Sequence, residues 1–115
     1  NTAGDVAVTK TTLSTCTEIA NGNGYTTGGL PVALGLNSGA RANGVFTLTG
    51  TKQTWTSAGA GMAAFRYVIL YDQTVANGPL IASWDYASAL TLAVGETFTV
   101  KFNNGDPTGT IFTLT

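Results

Sequence analysis

Five Asn-Gly dipeptides punctuate this chain, at Asn21-Gly22, Asn23-Gly24, Asn43-Gly44, Asn77-Gly78 and Asn104-Gly105. A type I′ turn needs positive φ at both central residues, and Asn followed by Gly is the pair that tolerates this best, so each dipeptide is a candidate strand reversal. No stretch between them sustains a helical period. The spacing therefore predicts an all-β protein, an antiparallel β-sandwich of jelly-roll or Ig-like kind with little or no helix.

The runs between the turns alternate apolar and hydroxyl side chains. In Thr97 to Phe102, Phe98, Val100 and Phe102 alternate with Thr97, Thr99 and Lys101, and Thr110 to Thr115 repeats the pattern with Phe112 and Leu114. These two are expected to form a hairpin across the loop 103–109. Thr47 to Thr49 and Thr51 to Thr56 read as another pair turning at Gly50 and carrying Phe46, Leu48 and Trp55. Phe65 to Tyr71 is apolar on both faces, as a mid-sheet strand is, and Leu80 to Tyr86 follows after Asn77-Gly78-Pro79 as its partner. That pairing brings Asp85 close to Arg66, an expected ion pair. Asp5 to Thr12 and Tyr25 to Leu34 are weaker strand candidates, 35–44 reads as a loop, and Ser57 to Ala64 is a loop of small residues.

Size and charge narrow the function. A chain of 115 residues is one domain, 1–115, which buries roughly 65% of its unfolded surface; residues 1–23 carry the weakest pattern and read as a candidate extended arm. Five Lys/Arg against six Asp/Glu, with no basic run, leave no electrostatic footprint for nucleic acid. The longest apolar run, Tyr67 to Tyr71, falls far short of a bilayer span, so no membrane role is expected. Asn1 is an unusual first residue, and the chain reads as a trimmed form of something longer. Cys16 has no partner for an internal disulfide and reads as a buried free thiol. Many threonines, 15 glycines and few charges describe neutral outer faces, which are easier to desolvate against a protein partner than charged ones.

Chemistry finds little to stand on. With no histidine, the Ser-His-Asp and Cys-His nucleophile systems and the commonest zinc ligand are absent. Paired carboxylates are the remaining enzymatic option, but antiparallel pairing sets Asp72 and Asp85 at opposite ends of their hairpin. Asn103 to Thr108 offers oxygens for calcium around the single carboxylate of Asp106, and an Asx-type turn before Pro107 explains it more simply. No phosphate-binding glycine motif is present. The expectation is no catalytic residue, no cofactor site and no metal site. Trp55, Trp84, Tyr25, Tyr67, Tyr71 and Tyr86 invite comparison with a sugar-stacking platform, yet Tyr67, Tyr71, Trp84 and Tyr86 alternate along strands as core residues do. Tyr25 and Trp55 remain the candidates for glycan contact, and Tyr25 for an exposed or strained position.

The strings Gly24-Tyr25-Thr26-Thr27-Gly28-Gly29, Trp55-Thr56, Phe65 to Asp72, Pro79-Leu80-Ile81, Trp84-Asp85-Tyr86, Gly95 to Val100 and Ile111 to Thr115 resemble, in the same order, a group of small virion structural proteins of tailed bacteriophages. The resemblance covers residues 24 to 115; the lead-in that such proteins often carry at the N-terminus is missing. It implies a non-enzymatic part of the particle, assembled in the host bacterial cytoplasm and located in the virion. Capsid decoration or cement is the first expectation, with the major capsid protein and copies of itself as partners. Tail, baseplate and head-fibre positions, and a receptor- or glycan-binding module of a tail or head fibre, are the alternatives.

Overall fold

The computed structural model describes residues 10–36, 44–103 and 105–114. They form seven strands and one 3-10 turn, Leu13–Thr15, with no α-helix among them: β1 (Leu34–Leu36), β2 (Phe46–Thr51), β3 (Gln53–Thr56), β4 (Met62–Tyr71), β5 (Leu80–Leu92), β6 (Thr97–Val100) and β7 (Thr108–Leu114). All strand pairs are antiparallel. The described residues are mostly antiparallel strand, as the turns and alternation predict. The chain gathers into two compact units, one of residues 1–28 and 57–96, the other of 29–56 and 97–115.

The first unit is built on the β4–β5 hairpin, which pairs Leu70 with Ala82, Val68 with Trp84 and Tyr67 with Asp85. Its core is Met62, Phe65, Tyr67 and Leu92. The expected pairing of these two strands is observed. The expected mid-sheet position of Phe65 to Tyr71 is not, because among the described residues β5 is the only strand beside β4. Asn77 sits at φ 69° in a turn closed by the Gly78 N–H on the Val75 carbonyl (3.1 Å). The Asn-Gly pair thus helps reverse the chain at the end of a longer loop rather than as a two-residue I′ turn. That form belongs to Asn23-Gly24, with φ of 54° and 94° between Gly22 and Tyr25, whose backbones exchange hydrogen bonds of 2.8 and 3.0 Å.

Ser57 knots this unit together. Its N–H donates to the Glu96 carbonyl and its own carbonyl accepts from Gly95, both at 2.8 Å. Its hydroxyl donates to the Leu92 carbonyl (3.0 Å) and accepts from the Met62 N–H (2.8 Å). The side chain is 1% exposed, so the segment read as a loop of small residues begins on a fully satisfied buried serine.

The second unit holds a three-stranded sheet in the order β1-β2-β7 and a β3–β6 ribbon. Two expected pairings are corrected here. Residues 97–100 pair with β3 instead of making a hairpin with β7, and Gly50 is no turn but a buried residue inside β2. The stretch 46–56 is extended almost throughout, and only Lys52 interrupts it. Strand β7 lies beside its first part and β6 beside its second, with the Lys52 N–H bonded to the Pro107 carbonyl (2.7 Å) where the partner changes. Alternation fixes which face a residue serves but not which strand it meets, and two runs with the same pattern are interchangeable on that criterion. Trp55 faces Phe98 across the ribbon with ring centroids 6.3 Å apart. Phe102 is the buried anchor of this unit.

Smaller corrections follow the same logic. Gly35 belongs to β1, whereas 25–33 are not strand; residues 5–9 and 37–43, Asn104 and Thr115 lie outside the described residues. Cys16 is only half-buried. Trp84 and Tyr86, expected in the core, are 41% and 54% exposed.

Candidate functional site

The acidic side chains come first, since the paired-carboxylate chemistry weighed from the sequence needs two of them together. Asp72 closes an Asx turn, accepting from the Thr74 N–H (2.8 Å) and hydroxyl (2.6 Å). Those bonds, the hydroxyl's foremost, hold its carboxyl below the usual range. Asp85 binds Arg66 through both oxygens, at 2.6 and 2.7 Å, and also accepts the Ala87 N–H (2.8 Å). Its carboxyl is likewise held down, chiefly by the Arg66 hydrogen bond. The ion pair expected from the hairpin register is therefore present. Arg66 also lies 5.1 Å from the Tyr67 ring centroid. Asp72 follows Tyr71, which faces Leu80, and Asp85 is five residues further along β5. At about 3.3 Å per residue this is roughly 16 Å. Glycosidase carboxylates stand about 5–9.5 Å apart. This pair cannot share a bond.

Asp106 closes the question of its loop in a different way. One oxygen takes the Lys52 ammonium at 2.5 Å and the other the Lys101 ammonium at 2.8 Å. A cation would have to displace both, and no group of three metal-ligating side chains gathers among the described residues. The two ammonium groups, Lys101 first, lower the Asp106 carboxyl from its ordinary 3.8 to about 2. A carboxyl depressed in the folded state contributes stability above its unfolded pKa and loses that contribution as pH falls through the folded one. Acid titration should therefore remove the contribution between pH about 4 and about 2. Thermal melts of wild type and Asp106→Asn across that window should converge at the acid end. Melting temperatures that stay equally far apart at every pH would contradict the linkage.

Glu18 organises a cluster that sequence reasoning missed. Its Oε1 accepts the Tyr25 hydroxyl and the Gly28 N–H (2.5 Å), and the Tyr71 hydroxyl donates to the Gly28 carbonyl (2.7 Å). Burial, then the hydrogen bond to Glu18 and its charge, push the Tyr25 phenol well above its ordinary value; burial and the Glu18 charge raise Tyr71. Both stay protonated at neutral pH. The cluster borders an open depression of about 560 Å³ whose wall includes Leu13, Cys16, Glu18, Tyr71 and Val75. The hydrogen bonds of this cluster are those of a latch closing 18–28 onto the end of β4. Tyr25, expected as an exposed platform, is half-buried with its hydroxyl engaged.

The glycan reading changes residues accordingly. Trp55 is half-buried against Phe98, and its Nε1 has no hydrogen-bond partner among the described residues. Both rings proposed from sequence are therefore half-buried rather than fully exposed. Trp84 and Tyr86 on β5 are exposed aromatics of the first unit, and Ile81 on the same strand is exposed as well. In the second unit Leu34, Phe112 and Leu114 are exposed, on strands that carry no charged residue. No family model, curated protein or solved structure matches the chain. These exposed side chains gain from burial against another surface, at about 25 cal/mol per Å² of apolar area removed from water.

Proposed function

We propose that this protein is a non-enzymatic structural component of a tailed-phage virion, a capsid decoration or cement protein of the β-sandwich class that holds the shell by protein–protein contacts. The observation that carries the contact role is the set of large apolar side chains left exposed, Leu34, Phe112 and Leu114 on uncharged strands in one unit and Ile81, Trp84 and Tyr86 on β5 in the other. The likeness of residues 24–115 to small virion proteins supports the particle as its setting, with the major capsid protein as partner and assembly in the host bacterial cytoplasm. Low charge suits repeated copies on a lattice, since neighbours do not repel and weak contacts multiply.

Quantitative mass spectrometry of purified particles, with immunogold labelling, tests the proposal. Hundreds of copies on the head are expected; a handful at the tail would move the protein to a fibre or baseplate, and absence from particles would overturn the assignment. A receptor- or glycan-binding module is the second reading, favoured by the exposed Trp84 and Tyr86. Saccharide binding that disappears in Trp84→Ala would support it.

A further inference from the structure

Natural sheets guard their outer strands with lysine, proline, bulges or short length, because an unguarded edge templates pairing with another chain. The sheet β1-β2-β7 has two outer strands among the described residues. One is protected by size: β1 has three residues among those described. The other, β7, has seven residues, Thr-Gly-Thr-Ile-Phe-Thr-Leu, and no charge or proline among them. Charge marks the strands outside this sheet: β4 contains Arg66, β5 contains Asp85, β3 follows Lys52, and β6 lies between Glu96 and Lys101. The one irregularity of β7 falls opposite Leu48/Thr49, before the stretch Phe112–Leu114.

That stretch is also where the apolar face of the sheet runs out to its border. Phe46 faces Leu114 and Leu48 faces Phe112 across the ladder, and the Phe46 and Phe112 rings lie 6.1 Å apart. Phe112 is 39% exposed and Leu114 60%.

We propose that a second copy of this chain pairs antiparallel with β7 about a two-fold axis at Thr113, fusing two three-stranded sheets into one of six. The sequence around Thr113 reads Phe-Thr-Leu, so the axis sets Phe112 opposite the partner's Leu114, Leu114 opposite the partner's Phe112, and Thr113 opposite the partner's Thr113. Apolar side chains meet on one face and hydroxyls on the other, the pairings that stabilise antiparallel ladders. No charge faces another across the seam, and a charged partner segment would find no counter-charge on these strands. The two apolar faces become continuous, which removes the border at which Phe112 and Leu114 meet water. The biological sense of this dimer rests on the virion assignment, as a cement unit linking two attachment points. Its physical basis does not.

Sedimentation velocity on the purified chain tests it. A dimer with Kd on the order of micromolar is expected. Leu114→Lys should weaken it at least about tenfold. Thr113→Lys, on the hydroxyl face, should weaken it in a way that added salt partly restores, since like charges then meet at the axis. Leu34→Lys, equally exposed but on the opposite border, should leave the Kd unchanged; circular dichroism checks that each variant folds. A monomer at every concentration, a dimer indifferent to both β7 variants, or one weakened as much by Leu34→Lys would overturn the proposal. A dimer absent from particles would defeat the virion assignment alone, and a monomer found in particles would defeat this pairing alone.

Discussion

Replacing Ser57 with alanine is expected to destabilise the protein by about 2–4 kcal/mol, because it strands two buried backbone groups at once. The Ser57 hydroxyl is the partner of the Met62 N–H and of the Leu92 carbonyl, and both residues belong to the buried core. Each group left without a partner costs about 1–3 kcal/mol, whereas the alanine methyl recovers almost nothing in a site already closed to water. For a domain of this size the loss corresponds to a fall in melting temperature of roughly 10 °C. Ser57→Thr keeps the hydroxyl but adds a methyl where 1% exposure leaves no room, so it should not rescue fully. Differential scanning calorimetry gives the magnitude, and hydrogen exchange gives the place: the Met62 amide should lose protection first. A melting temperature within a degree or two of wild type would mean that water or a backbone shift replaces the hydroxyl.

Ser57 also shows where sequence stops informing. It stands at the head of Ser57 to Ala64, a run of small residues with the composition of a loop, and nothing in its neighbours announces that its hydroxyl will bridge the start of β4 and the end of β5. Features set by local rules were legible. Asn23-Gly24 makes its tight turn because positive φ is a property of those two residues, and the Arg66–Asp85 pair follows once β4 and β5 are paired antiparallel. Features set by distant partners were not. Glu18 meets Gly28 and Tyr25 through the path of a loop that has no periodicity, and Tyr71 joins them through Gly28, 43 residues away. Trp84 and Tyr86 alternate like core residues; alternation says that they share a side, but only the rest of the fold decides whether anything covers it.

Gly50 is the case in which a reasonable reading of a residue was overturned by its surroundings, and it carries the second large effect. Glycine between two threonine-rich runs suggests a turn, yet here it lies inside β2, opposite Leu34 on β1 and Gly109 on β7. A Cβ at this position would come within 2.8 Å of Ile111 Cδ1, 2.9 Å of Val32 Cγ1 and 3.1 Å of Phe102 Cε2. Glycine is therefore needed for space, not for an unusual φ. Gly50→Ala gains about 0.5–1 kcal/mol of backbone entropy but must push three side chains aside, which costs about 1–3 kcal/mol, so a net loss near 1 kcal/mol is expected. Gly50→Val adds two further methyls against the buried Phe102 ring and should lose about 3 kcal/mol or more. Urea unfolding measures both. The decisive comparison is the double variant Gly50→Ala with Ile111→Val, which removes the closest atom: its loss should be smaller than the sum of the single losses, because the second change makes room for the first. Strict additivity would mean that the sheet yields elsewhere, and that β2 tolerates a side chain here as other strand positions do.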